Sequence, residues 1–180
     1  FFSTCAIIVE KEMGEFFMSF ERCRAYFEPL GMASRMQAFS VSSATVELAA
    51  LAVGCEGARI AKTMSFSTPE GGAMLIVTAG DAKIDNTKFK AQFHHKASML
   101  PFDEVEPKIG HAVGGVCPFG INDGVAVYLD VSMKRFETVF PACGSDSSAI
   151  ELTLPELERY SNAISWIDVC KAWQEPQEGQ

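Results

Sequence analysis

The sequence has few positive charges for its length: 15 lysines and arginines stand against 23 aspartates and glutamates, a formal net charge of −8. Broad binding to nucleic acid needs clustered Lys and Arg that neutralise phosphates, so this balance excludes a large basic face and allows only a small local patch. No apolar run reaches membrane-spanning length, and the opening residues contain no targeting signal. We therefore expect a cytoplasmic protein with neither a membrane nor a DNA partner.

Motifs of several familiar enzyme classes are also missing. The sequence contains no GxGxxG, P-loop, HExxH or GxSxG motif, which removes the usual support for nucleotide-cofactor enzymes, zinc proteases and serine hydrolases. The six cysteines form no CxxC pair and no Cys/His pair at metal-ligand spacing. We expect reduced thiols, no metal site and no cofactor.

What is present is enough apolar sequence for one sizeable core. Of the 180 residues, 48% are hydrophobic, and helix-like and strand-like segments alternate without a strict βαβ rhythm. The sequence predicts one mixed α+β domain over residues 18–171. Residues 1–17 are expected to be an extension outside the core, with Met18 as a candidate start, and residues 172–180 a polar, disordered tail.

The chain carries clear local signals for individual elements. A first helix is predicted from an N-cap at Ser19, and a second is capped by Ser43 or Thr45. RIAKTMSFS and AMLIVTAG, joined by TPEGG, predict a hairpin in a buried sheet. Further elements are a helix capped by Asp85, a helix over 103–109, the strand VAVYLD, a short helix from Ser132, the helix PELERYS and a strand at WIDVC.

Lys62 is the strongest single candidate for chemistry. Side chains two apart in a strand share a face, so Lys62 lies on the side of Ile60, Met64 and Phe66. One interpretation is a lysine near the strand end that extends its ammonium to water. The other is a cation at the rim of a pocket, where it acts strongly on a carbonyl oxygen or a phosphate.

The stretch GGVCPFG, residues 114–120, concentrates glycine, proline and cysteine. It is either a tight turn into the next strand or a loop whose exposed amides bind an oxyanion. Cys117 is a possible nucleophile with His111 as base, or else a small apolar filler. A second loop, CGSDSS at 143–148, offers serine hydroxyls that bond either a ligand or their own turn.

Four stretches together resemble the YbaK/ProX family of prolyl-tRNA editing domains: ARIAKTMSF, AMLIVTAGDAKID, GGVCPFG and PACGSDSSAIELT. The resemblance covers roughly residues 18–171. It implies a central, mixed and partly barrel-like sheet flanked by helices, and a metal-independent hydrolase acting on the ester of mischarged tRNA. The implied substrate is Cys- or Ala-tRNA(Pro), and prolyl-tRNA synthetase is an implied partner beside the acceptor end of aminoacyl-tRNA.

The resemblance also implies the site residues. The catalytic residues are expected to be Lys62 and the loop residues Gly114, Gly115 and Val116. The substrate-binding residues are expected to be Thr63, Cys117, Pro118, Phe119, Gly144 and Ser145. In the late loop Asp146 is the only acidic residue, which leaves the choice of amino acid open.

Three functions remain possible at this stage. The first is a freestanding aminoacyl-tRNA deacylase, in which Lys62 and loop amides act on an already activated ester without a protein nucleophile. The second is a module that binds an aminoacyl or nucleotide end without hydrolysing it. The third is a hydrolase that depends on Cys117.

Overall fold

The computed structural model describes residues 18–173. Ten strands are present in this range: β1 Met36–Ala38, β2 Ile60–Ser67, β3 Ala73–Ala79, β4 Lys83–Ile84, β5 Ala126–Asp130, β6 Thr138–Pro141, β7 Ser148–Ile150, β8 Leu152–Thr153, β9 Ser165–Ile167 and β10 Cys170–Lys171. The helices are α1 over 18–27, α2 Val46–Val53, α3 Asn86–Phe93, α4 Phe102–Ile109 and α5 Leu154–Ser161.

Six strands form one curled, half-barrel sheet in the order β8-β6-β2-β3-β5-β9. β2 and β3 are an antiparallel hairpin, whereas β3 with β5, β5 with β9 and β2 with β6 run parallel. Two short antiparallel pairs, β1 with β7 and β4 with β10, lie outside this sheet. The prediction of a mixed, partly barrel-like sheet flanked by helices is confirmed.

Several helix starts use the caps that the sequence predicts. The Thr45 side chain accepts a hydrogen bond from the Leu48 amide at the start of α2, and Asp85 accepts from the Thr87 and Lys88 amides at the start of α3. Ser19 instead uses its hydroxyl to accept from the Ala112 amide at 3.1 Å, which ties α1 to the loop after α4.

The core lies on both faces of the hairpin. Every residue of β3 is buried, which explains the unbroken apolar run of its sequence. On one face Phe66 packs against Phe89 of α3, with ring centroids 5.2 Å apart. Elsewhere Phe27 of α1 packs against Phe119 at 4.7 Å, so the first helix covers the segment that follows the glycine-rich loop.

One helix differs from its predicted form. The segment that follows β5 is a 3-10 helix, Val131–Arg135, and begins after Asp130 rather than at Ser132. The fully buried Asp130 carboxylate accepts from the Ser132 and Val169 amides, both at 2.9 Å, and so joins this helix to the chain after β9. These two bonds connect distant segments, which local sequence patterns do not report.

The expectations for residues 1–17 and 174–180 lie outside the described residues. At the end of the described range, the Arg135 guanidinium packs over the ring of Trp173, 5.2 Å from the ring centroid. In the described range no helix is both long and apolar enough to cross a membrane.

Candidate functional site

The candidate site is a gap along one edge of β2. At its first residues β2 pairs with β6 on this edge, Ile60 with Phe140 and Ala61 with Pro141. At its far end the same edge meets an extended segment, through an antiparallel bridge of Phe66 with Met99. Between these neighbours no described strand pairs with this edge at Thr63, so the backbone there faces a cavity.

The cavity has a volume of about 370 Å³ and mixed walls. Apolar side chains from α2, the 99–105 segment and β6 surround it, and hydroxyls enter from several elements. Among the described lining residues Lys62 is the only one with a charged side chain. The lining residues used below are Ser43, Lys62, Thr63, Met99, Phe102, Gly114, Val116 and Ser148.

Lys62 is half-buried, and its ammonium donates to the Ala82 carbonyl at 2.7 Å. Burial lowers the pKa of this lysine, because the charged form loses hydration. A lysine ammonium has three donors, so the bond to Ala82 leaves two for a ligand oxygen. The prediction that Lys62 lies in a partly dry environment at a pocket therefore agrees with its position.

Thr63 contributes an orphaned polar group. Its hydroxyl oxygen is buried and finds no hydrogen-bond partner among the described residues. The strand alternation also directs its amide and carbonyl to the cavity edge, because the neighbouring Ser65 carbonyl accepts from Leu100 on that same edge. An unpaired buried hydroxyl costs about 1–3 kcal/mol, which a ligand that bonds it would recover.

The glycine-rich loop meets the cavity at its first residues. Gly114 has a φ of +97°, a left-handed conformation that glycine adopts without strain. Gly115 donates its amide to the Ala112 carbonyl at 3.1 Å, so that amide closes the turn. For the Gly114 and Val116 amides no acceptor is found within residues 18–173, and both residues line the cavity. These two amides are the candidate oxyanion donors.

Gly115 has a different reason to be glycine. A Cβ at this position would lie 2.6 Å from the Ser145 amide and even closer to the Gly144 carbonyl. Gly144 in turn has a φ of +84°, and a Cβ there would overlap the Ser19 carbonyl of α1. The two loops and α1 are therefore stacked backbone on backbone, which positions Gly114 and Val116.

Cys117 lies behind the cavity wall. It is fully buried, and its sulfur is 3.9 Å from Cys23 Sγ and 3.5 Å from His111 Nε2. Burial raises the pKa of this thiol well above its ordinary value. His111 Nε2 also lies 2.6 Å from the Phe119 carbonyl, so the imidazole bridges the two ends of the loop. This environment keeps the thiol protonated at neutral pH.

The late loop borders the cavity through residues other than the two predicted from it. The Ser145 hydroxyl donates to Ser148 Oγ at 2.8 Å, and Ser148 lines the cavity. The Asp146 backbone carbonyl accepts from the Ser43 hydroxyl at 2.7 Å, and Ser43 also lines the cavity. Asp146 thus holds Ser43 in place.

The structure brings four of the ten predicted site residues to the cavity: Lys62, Thr63, Gly114 and Val116. The other six lie behind these residues and are not among its lining: Gly115, Cys117, Pro118, Phe119, Gly144 and Ser145. The prediction missed Met99 and Phe102, which form one side of the cavity. In the sequence these two residues stand beside Pro101 and just before acidic residues, which is the pattern of an ordinary helix start. The sequence therefore offered no signal that they line a cavity.

A known protein family matches the part of the chain that contains this gap. The family model for the aminoacyl-tRNA editing domain matches residues 41–160, which include the whole gap and both loops. The chain belongs to the aminoacyl-tRNA editing domain family. Within residues 18–173 this editing domain has no group of three or more His, Cys, Asp or Glu side chains arranged to hold a metal ion.

Relatives of this editing domain are found among both sequences and structures. It is 52% identical over 157 residues to protein YwhH of Bacillus subtilis (strain 168), covering 87% of this chain and all of that one. A structure described as "Crystal structure of a putative trans-editing enzyme for prolyl tRNA synthetase" is 27% identical, with a TM-score of 0.77, over 85% of this chain and 97% of the other. The structure of hypothetical protein APE2540 shares the fold, with a TM-score of 0.74 at 22% identity over 83% and 99%.

Proposed function

We propose that this chain is a freestanding aminoacyl-tRNA deacylase that hydrolyses the ester of mischarged tRNA in the cytoplasm. The observation that carries the proposal is the gap in the edge of β2. There the half-buried Lys62 and Thr63 line the same cavity as Gly114 and Val116, whose amides have no acceptor in the described residues. A cation and two amides are a suitable set of groups for a carbonyl that gains negative charge.

The reaction needs little from the protein because an aminoacyl ester is already activated. Water attacks the ester carbonyl, and the developing oxyanion accepts hydrogen bonds from Gly114 and Val116. Lys62 uses its free donors to hold the terminal phosphate or the carbonyl oxygen. Each such donor contributes about 3 kcal/mol to the transition state in comparable sites. As the ester bond breaks, the leaving ribose oxygen takes up the proton that the attacking water loses, and the amino acid and the free 3′ end leave.

The cavity walls support a small neutral amino acid as the substrate. No acidic side chain lines the cavity in the described residues, so a cationic amino acid has no partner there. Alanine or cysteine on tRNA(Pro) fits this environment. The relation to prolyl-tRNA synthetase is proposed on the same basis, since one structural relative is described as acting for that synthetase.

The position of Cys117 supports a backbone-based mechanism over a thiol-based one. A nucleophilic cysteine needs a thiolate in contact with substrate, whereas this thiol is fully buried and its pKa is raised. We expect Cys117→Ser to keep most of the deacylase activity. Loss of all activity in this variant, with an unchanged melting temperature, would restore the thiol mechanism.

The decisive experiment is deacylation of Ala- and Cys-tRNA(Pro), with Pro-tRNA(Pro) for comparison, by the wild type and by Lys62→Met. Removing one transition-state contact lowers kcat by about 100-fold or more. Lys171→Met, at an exposed position, is the matched control and keeps wild-type activity. Wild-type release no faster than spontaneous hydrolysis would overturn the proposal and favour the non-catalytic binding module.

A further inference from the structure

A run of the sequence beside the cavity has a charge opposite to that of the whole protein. Residues 86–102 contain three lysines and two histidines and no aspartate or glutamate, in a chain with a net charge of −8. Lys88 is paired with Asp168 at 2.8 Å, whereas Lys90 and Lys96 form no ion pair within the described residues. Both side chains are exposed and border the same surface depression, together with Ala97.

This basic surface is close along the chain to the cavity rim. Lys96 is three residues before Met99, so their Cα atoms are at most about 11 Å apart. Met99 is bridged to Phe66 of β2 and lines the cavity. A charged ligand bound at Lys90 and Lys96 therefore lies next to the cavity mouth.

The rim itself exposes large apolar side chains. Phe102, at the start of α4, is 78% exposed, and Met99 is 56% exposed, yet both line the cavity. Exposed aromatic rings at the mouth of a cavity are available for stacking, and a ring beside cations suits an anionic planar ligand. We name these four residues the rim surface: Lys90, Lys96, Met99 and Phe102.

We propose that the rim surface binds the unpaired 3′ end of an RNA strand, with a base on Phe102 and Met99 and phosphates at Lys90 and Lys96. Proteins that hold single-stranded nucleic acid combine side chains that stack on bases with cations that follow the phosphate backbone. The rim surface offers both kinds of side chain. The exposed Asp103 beside Phe102 restricts the phosphates to the α3 side. The inference rests on the proposed function, because it assigns the cavity to the terminal aminoacyl-adenosine and the rim surface to the nucleotides before it.

The test compares a long and a short substrate. Alanyl-tRNA(Pro) reaches both the cavity and the rim surface, whereas 2′(3′)-O-alanyl-adenosine has no phosphate and no second base. Phe102→Ala is expected to lower the ratio of kcat/KM for the long substrate to that for the short one about 10-fold, the size of one base–aromatic stack. The double variant Lys90→Gln/Lys96→Gln is expected to lower the same ratio. The slope of log kcat/KM for the long substrate against log salt concentration should become shallower by about 1.4, because each of the two lost phosphate contacts contributes ~0.7.

Matched controls are available at remote exposed positions. Ile164→Ala removes an apolar side chain that is 63% exposed, and Lys134→Gln/Lys171→Gln removes two exposed charges. Both controls keep the wild-type ratio. Equal losses on the two substrates, or no change in the ratio in either rim variant, would overturn the assignment of the rim surface.

A binding measurement separates this inference from the proposed function. Fluorescence anisotropy with a short oligoribonucleotide ending in unpaired CCA gives the affinity of the surface without any hydrolysis. Weaker binding in the two rim variants and no binding of a blunt RNA duplex support the rim surface even if the wild type hydrolyses neither substrate. Unchanged RNA affinity in both rim variants refutes the assignment of the rim surface. That result is also the one expected if a protein partner, and not RNA, covers this surface.

Discussion

Replacing Gly115 by alanine tests whether the stacked backbones hold the site. The position is buried, and the new Cβ would lie 2.6 Å from the Ser145 amide and closer to the Gly144 carbonyl. Both groups are backbone, and Gly144 is held from behind by the Ser19 carbonyl. The added methyl group therefore cannot be absorbed by a side-chain rotation, and one of the loops must move.

The expected effect on stability follows from overpacking. A methylene forced into a well-packed site costs about 1–3 kcal/mol. For a chain of this size each kcal/mol lowers Tm by about 2–4 °C, so we expect a fall of about 2–12 °C. The effect on activity is larger, because a shift of about 1 Å in positioned groups costs on the order of 100-fold. Gly114 and Val116 would move with their neighbour.

The assays are thermal unfolding and kcat/KM on alanyl-tRNA(Pro). The matched control is Gly72→Ala in the β2–β3 turn, a position that does not line the cavity. A Cβ there meets only the Thr68 hydroxyl, at 3.0 Å. Gly72→Ala is expected to have nearly wild-type Tm and activity. A Gly115→Ala protein with wild-type Tm and undiminished kcat/KM would show that the loops do not depend on this contact.

Two further predictions concern charge. In the proposed mechanism the ammonium of Lys62 is the working form, and burial lowers the pKa of this lysine. We therefore expect kcat/KM to fall as the pH rises through that lowered pKa, below the ordinary lysine range. Lys62→Arg should move this alkaline limb to higher pH, and a profile identical to the wild type, after subtraction of spontaneous ester hydrolysis, would contradict the assignment. Asp130→Ala leaves the Ser132 and Val169 amides without acceptors and should cost about 4 kcal/mol in urea unfolding. The exposed Asp123→Ala should stay within about 0.5 kcal/mol, and equal effects of the two would refute the role of Asp130.

Local patterns were sufficient for the hairpin and for part of the site. The alternation around Lys62 predicts β2 and the face of the lysine, and the apolar run predicts β3, because both depend on neighbours along the chain. The gap beside Thr63 depends on two long-range pairings, Phe66 with Met99 and Ile60 with Phe140. Such pairings leave no periodic trace, so the residues that complete the cavity could not be predicted.

The same limit applies to the glycine-rich loop. Its composition predicts a special backbone but does not separate glycines that face a ligand from glycines that face another loop. Gly114 is at the cavity with a positive φ, whereas Gly115 is glycine because of its contact with Gly144. The likeness of the motif to a known family identifies the loop as a whole, and only the packing shows which of its amides remain available.

The bridge between Phe66 and Met99 also bears on how such a site changes in evolution. One side of the cavity is part of the six-stranded sheet, but the other is a short connection between α3 and α4 that touches β2 through a single bridge. An insertion or deletion in residues 94–101 would widen or narrow the opening without altering a strand. Under the proposed function, the size of the opening would then change while Lys62, Gly114 and Val116 stay in place, so the choice of amino acid would be separated from the six-stranded sheet.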